Sequence, residues 1–256
     1  MFEFLRKFSL LMALFIVGLG THFSMQNTTD WRESLRVTVY PINGDGLDST
    51  QRYIDAIETA DFGSIEQFMR NEAERFGIDI KEPVRIVVGH EIFEQPPEPP
   101  RTANPFKIAY WSLKLRWWSN SITNDPPGAD PDIRLFLVYF DPNVSPTLSH
   151  SLGLQKGLVG IVNVFSAVEQ AETNNFVVAH ELLHTLGATD KYGGPSNLPV
   201  FPVGYADPNK FPLYPQTQAE IMGGRVALSE TQAAIPADLS QVIIGPSTAV
   251  ELRWIE

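Results

Sequence analysis

Apolar and polar positions recur with two different periods along this chain, and each period marks a different kind of element. Leu35 to Ile42 (LRVTVYPI) alternates and is β-branched, which predicts a first strand. The turn cluster Asn43-Gly44-Asp45-Gly46 follows. From Asp48 to Phe76 the spacing becomes helical, with Ile54, Ile57, Ile65, Phe68, Met69 and Phe76 as the apolar stripe. Asp61-Phe62-Gly63 interrupts this region. Ser64 and Gln67 form a capping-box pattern that restarts it, and Gly77 suits its C-terminal stop.

Val84 to Val88 predicts a second strand, Ile133 to Phe140 the clearest strand of the chain, and Gly160 to Phe165 a further short one. The aromatic run Ile108 to Trp118 is compatible with a strand and with a helix. Gln95 to Pro105 is dense in proline and predicts an extended, exposed stretch, and Asn124 to Pro131 a second Pro/Gly loop. Thr173 to Leu186 predicts a helix that ends at Gly187. Strands alternating with helices place the chain in the α/β (α+β) class, with a mixed, partly parallel sheet covered by helices. Residues 35–256 are expected to form one domain split by a cleft.

The N-terminus carries a different pattern. Arg6 and Lys7 precede an uncharged apolar run from Phe8 to Gly20, as in an export signal. Residues 1–25 are therefore expected to be a signal peptide or an N-terminal membrane anchor, and residues 26–34 a polar linker. Either case puts the remainder outside the cytoplasm, tethered to the membrane or secreted.

Composition narrows the chemistry. The 256 residues are 43% hydrophobic and include 16 Phe, 5 Trp and 7 Tyr, enough for a packed core. A formal net charge of −11 argues against a nucleic-acid partner. There is no cysteine, so disulfides, thiol nucleophiles and Cys-based metal sites are excluded. A metal site must use carboxylates and the five histidines, at 22, 90, 150, 180 and 184.

Two of these stand together in His180-Glu181-Leu182-Leu183-His184. Side chains at i and i+4 share one helix face, so two imidazoles can reach one ion with Glu181 beside it. Gly187 stands where a helix end favours a left-handed residue, which lets the chain turn back sharply. Asp190 then falls where the turn would deliver a third ligand. Two imidazoles and a carboxylate with an open position suit zinc; iron(II) uses the same set. Glu220 is a rival third ligand. His90, His150 and His22 lie apart from the cluster.

HELLHTLGATD resembles the extended zinc motif of the metzincin peptidases, H-E-x-x-H-x-x-G-x-x-H, with Asp in the last place. That variant is similar to snapalysin-type peptidases, and Asp190-Lys191-Tyr192 is similar to the Asp-x-Tyr of immune-inhibitor-A-like peptidases. The resemblance covers about residues 180–224. It implies zinc on His180, His184 and Asp190, base catalysis by Glu181, a bend at Gly187, and a supporting methionine turn at Met222 in Ile221-Met222-Gly223-Gly224. Some metzincins place a Tyr two residues after that Met; here the position is Gly224, and Tyr192 is the substitute for stabilising a transition state. The expected activity is zinc-dependent hydrolysis of a protein or peptide substrate. A non-catalytic zinc-binding or structural envelope protein, or a zinc hydrolase of a non-protein amide or ester, are the alternatives. The resemblance also implies an edge strand along the cleft. Gly160 to Phe165 is the expected one, extended by a bound peptide. The Pro- and aromatic-rich stretch 193–220 is expected to serve as a specificity wall or as packing.

Overall fold

A computed structural model describes residues 30–100, 104–123, 130–149, 151–154 and 158–256. The segment read as signal or anchor, residues 1–25, lies outside these. Among the described residues no helix is long and apolar enough to cross a membrane.

The central element is a five-stranded sheet built from β1 (Leu35–Asn43), β2 (Val84–Val88), β3 (Ile133–Phe140), β4 (Leu152–Leu154) and β5 (Val159–Phe165), in the order β2-β1-β3-β5-β4. β2, β1, β3 and β5 run parallel, and β4 pairs antiparallel with β5. The class is the mixed, mostly parallel α/β arrangement that the element order predicted. The inner parallel strands β1, β3 and β5 are largely apolar on both faces because both faces are covered, whereas the edge strand β2 exposes Arg85 and Val87. Val37, Val39, Leu135, Leu137, Val162 and Val164 point into one core. Tyr40, Ile42, Phe136, Val138, Val159 and Ile161 point into a second core on the opposite face.

Among the described residues five α-helices accompany the sheet: α1 (Asp48–Ile54), α2 (Gly63–Arg75), α3 (Pro105–Ile122), α4 (Ala171–Leu186) and α5 (Pro246–Glu251). α2 and α4 cover the first face through Ile65, Phe68, Met69, Val178, Leu182 and Leu183. α3 covers the second through Trp111, Leu115 and Trp118. The helical region at 48–76 breaks, but from Asp55, earlier than the expected Asp61-Phe62-Gly63; Gly63 already opens α2, and Gly77 stops it with φ +73°. The capping box sits elsewhere: Glu58 and Asp61 cap a 3-10 turn at Thr59–Phe62, and the chain runs from buried Phe62 straight into α2. That leaves no extended residue for Ser64 to cap, and its hydroxyl accepts from the Asn175 amide instead.

The ambiguous run 108–118 is helical. Pro105 opens α3 at a position that needs no N–H, and the Asn104 side chain accepts from the Phe106 and Lys107 amides. Two further readings are corrected. Trp31, in the expected linker 26–34, is buried, donates to the Leu252 carbonyl and packs edge-on against Trp254, so the folded body begins before Leu35. β5 is not an edge strand, because β4 covers its outer side. β4 is three residues long, too short to show a period, and pairs Gly153 with Gly160.

α4 is clamped to this frame by two asparagines. Asn174 accepts from the Phe165 amide at 3.1 Å and donates to the Phe165 carbonyl at 2.8 Å. Asn175 donates to the Asp61 carbonyl and to Ser64 Oγ at 2.7 and 2.9 Å. Asn174→Ala strands both backbone groups of Phe165, so the unfolding free energy in urea should fall by about 2 kcal/mol with an unchanged m-value.

Candidate metal centre

The last two turns of α4 carry the site. Leu182, Leu183 and Leu186 face the core, which turns His180, Glu181 and His184 toward β4 and the C-terminal part of the chain. His180 and Glu181 are themselves buried. The helix ends as the sequence predicts. Gly187 adopts φ +110°, and the Ala188 amide donates back to the Leu183 carbonyl at 3.0 Å. The chain reverses there and returns Asp190 to the helix face.

One oxygen of Asp190 meets both rings. Oδ1 lies 3.2 Å from His180 Nε2 and 3.1 Å from His184 Nε2. The other ring nitrogens are spent on carbonyls: His180 Nδ1 on Ile221 at 2.9 Å and His184 Nδ1 on Ala188 at 2.8 Å. A carbonyl only accepts, so each Nδ1 carries a proton, and a ring without a second proton presents a lone pair at Nε2. Three acceptors then point at one another. Only an added proton or a cation relieves that contact. Ligand atoms about 2.0–2.1 Å from a tetrahedral ion stand about 3.3 Å apart, close to the two Nε2–Oδ1 separations.

Two carboxylates flank the rings, and they differ. The ligand atoms of His180, Glu181 and His184 all lie within 4.8 Å of one another and could hold a metal ion. Asp190 is in contact with both rings, whereas Glu181 Oε2 is buried with no hydrogen-bond partner. Asp190 Oδ1 thus stands against both rings, and Glu181 stands beside them within the His180, Glu181 and His184 group. Burial pushes the Glu181 carboxyl above its ordinary range, partly offset by the His180 and His184 charges and the Gly153 amide. Asp190 moves the other way: burial would raise it, but its bonds to the two histidines hold it far below the usual carboxylate range.

Tyr192 belongs to the same cluster. Its ring lies 6.2 Å from that of His180 at an interplanar angle of 29°. Burial and the neighbouring Asp190 carboxylate push its hydroxyl up to about 12. Met222 is fully buried in a 3-10 turn, Ile221–Gly223, whose first carbonyl is the His180 acceptor and whose Met222 carbonyl accepts from Lys191 at 2.8 Å. Glu220 is not free to be a ligand. It is fully buried, and its oxygens accept from Gly223, Gly245 and Thr248, which makes it a brace beneath that turn.

His90 is remote from the centre, contacting the Ile122 carbonyl and the Tyr40 ring. His22 and His150 lie outside the described residues. The stretch 193–220 acts at least partly as packing: Val200 donates to the Lys191 carbonyl at 2.7 Å, behind the ligand loop.

Glu251 was not anticipated. From the end of α5 it accepts from Thr189 N at 3.0 Å, Thr189 Oγ1 at 2.6 Å and Lys191 Nζ at 2.7 Å, gripping the residues on both sides of Asp190. Gly153 was not anticipated either. A Cβ there would collide with the His184 side chain and stand 3.2 Å from Glu181 Oε2. Neither residue carries a local signal, since each acts across tens of positions in the chain. Comparison with protein-family models and with curated proteins gives no match to this chain.

Two outcomes follow from this geometry. Glu251→Ala frees the Asp190 loop, and Zn²⁺ affinity measured against a chromophoric chelator should fall by about 10–100-fold while the fold persists. The second concerns pH. Burial alone would lower the His184 pKa, but Asp190 and Glu181 hold it above the ordinary 6.5. A metal must displace that proton, so affinity should weaken as pH falls through the raised value and level off above it. Chelator competition from about pH 6 to about pH 9 reads this directly.

Proposed function

We propose that the protein is a zinc-dependent endopeptidase whose metal is held by His180, His184 and Asp190, with Glu181 as the general base. The observation that carries this reading is the convergence of two imidazole Nε2 atoms on one carboxylate oxygen, 3.2 and 3.1 Å away, beside the buried Glu181 Oε2, which has no hydrogen-bond partner. The ligand set alone suits zinc or iron(II). The unpaired Glu181 favours hydrolysis and therefore zinc, as does the resemblance of HELLHTLGATD to the metzincin motif.

A divalent zinc ion held there would act as a Lewis acid on a substrate carbonyl and acidify an adjacent water. The chain's own groups do the rest. Glu181 Oε2, raised by burial, takes a proton from the attacking water and delivers it to the leaving nitrogen. The Tyr192 hydroxyl, kept protonated by Asp190, donates to the oxygen on which negative charge develops. Gly187, the Ile221 and Ala188 carbonyls and Glu251 keep the ligands oriented.

A peptide substrate is favoured by β4. Its outer edge is unpaired among the described residues, and Gly153 at its centre packs directly on Glu181 and His184. An extended peptide added to that edge would run past the general base. The N-terminal pattern of Arg6, Lys7 and the apolar run Phe8 to Gly20 favours action outside the cytoplasm.

Metal content and proteolysis of wild type, Glu181→Gln and Asp190→Ala test the assignment. Wild type should hold one zinc and cleave an unstructured protein such as casein. Glu181→Gln should keep the zinc and lose turnover by at least about 10²-fold; Asp190→Ala should lose both. Stoichiometric iron with oxygen-dependent activity would overturn the metal. Full turnover in Glu181→Gln would overturn the base.

A further inference from the structure

The face of the sheet opposite the metal centre ends in a surface unlike the rest of the molecule. α3 covers that face with Trp111, Leu115 and Trp118, yet it is apolar on its outer side as well. Phe106, Tyr110, Leu113 and Trp117 follow the i, i+4, i+7, i+11 spacing of a single helix stripe. Their exposures are 84%, 72%, 49% and 71%. Such a stripe is costly to leave in water and marks an interaction surface.

Its chemistry identifies the occupant. Across all 18 residues α3 has Lys107, Lys114 and Arg116 and no Asp or Glu, in a chain whose net charge is −11. At 100° per residue the two lysines fall along one flank of the stripe and Arg116 along the other. Lys107, Lys114, Tyr110 and Phe106 also line a shallow cleft of about 430 Å³, with Glu98 as its one acidic wall. Neither lysine forms an ion pair among the described residues. Phe, Tyr and Trp at the centre with cations at the margin suit the boundary between acyl chains and anionic headgroups. A protein partner for an apolar stripe would not require this charge reversal. α3 is about 27 Å long and, like every described helix, cannot cross a bilayer, so it would lie in the interface plane.

We propose that α3 is a membrane-docking helix, inserting Phe106, Tyr110, Leu113 and Trp117 into the interface of an anionic lipid surface while Lys107 and Lys114 engage headgroup phosphates. The surface is on the sheet face opposite the metal centre, so docking leaves the centre facing away from the lipid. The inference rests on α3 and stands whether or not the peptidase reading does.

The test uses the full chain, so that residues 1–29 are present in every arm. Vesicles of phosphatidylglycerol with brominated acyl chains quench tryptophans that reach the acyl region. Wild type should lose emission on such vesicles, and Trp117→Phe should abolish that loss, because Trp117 is the exposed Trp of the stripe. Lys107→Glu with Lys114→Glu should weaken the quenching by at least about tenfold in lipid concentration, and phosphatidylcholine vesicles should behave like this variant. All these side chains are solvent-exposed, so an unchanged circular-dichroism melt is expected for both variants. Equal quenching in wild type and Trp117→Phe would overturn the proposal. So would a Trp117 emission already blue-shifted without vesicles. A concentration-dependent shift would assign the stripe to a second copy, and a concentration-independent one to the chain's own N-terminal segment.

Discussion

Three hydrogen-bond acceptors aimed at one point repel unless something positive lies between them. Here the three atoms are His180 Nε2, His184 Nε2 and Asp190 Oδ1, all acceptors whenever the rings are neutral, and the surrounding structure holds them in that disposition. The backbone carbonyls of Ile221 and Ala188 take the other ring nitrogens and thereby fix both tautomers. Gly187 turns the chain, Glu251 grips Thr189 and Lys191 around Asp190, and Glu220 supports the turn that supplies the Ile221 carbonyl. Ile221, Glu220 and Glu251, all from the C-terminal part of the chain, thus help to orient these three atoms.

That arrangement needs a rigid platform, and the sheet supplies it. α4 lies on one face with Leu182 and Leu183 fully buried, and the Asn174 and Asn175 clamps oppose sliding along β5 and α2. The sheet's antiparallel edge strand, β4, comes so close to α4 that only glycine fits at position 153. Burial raises the pKa of Glu181 at this contact, and the Gly153 amide partly offsets the rise. On the other face α3 has one side committed to the core and one side free. The two faces therefore carry separable chemistry.

Much of this was legible because its causes are local. An i, i+4 pair of histidines with a glycine three residues on is a statement about one helix and its end, and the helix forms where the pattern says. β1, β3 and β5 were legible because strands covered on both faces read as apolar runs, and β2 because it is a short β-branched run. α3 was ambiguous because its aromatics occupy two opposite sides, which blurs the helical period. The Ser64 capping box failed because a 3-10 turn ending in buried Phe62 leads directly into α2.

The sequence by itself determined the class of fold, the element that carries the two histidines, and the exclusion of cysteine thiolates from any metal site. Tertiary structure alone decided that Asp190 rather than Glu220 meets the imidazoles, that β4 rather than β5 is the edge, and that Glu251 holds the ligand loop. Those choices rest on contacts between residues tens of positions apart. Periodicity and capping describe one turn or one strand at a time, whereas such contacts depend on how completed elements pack.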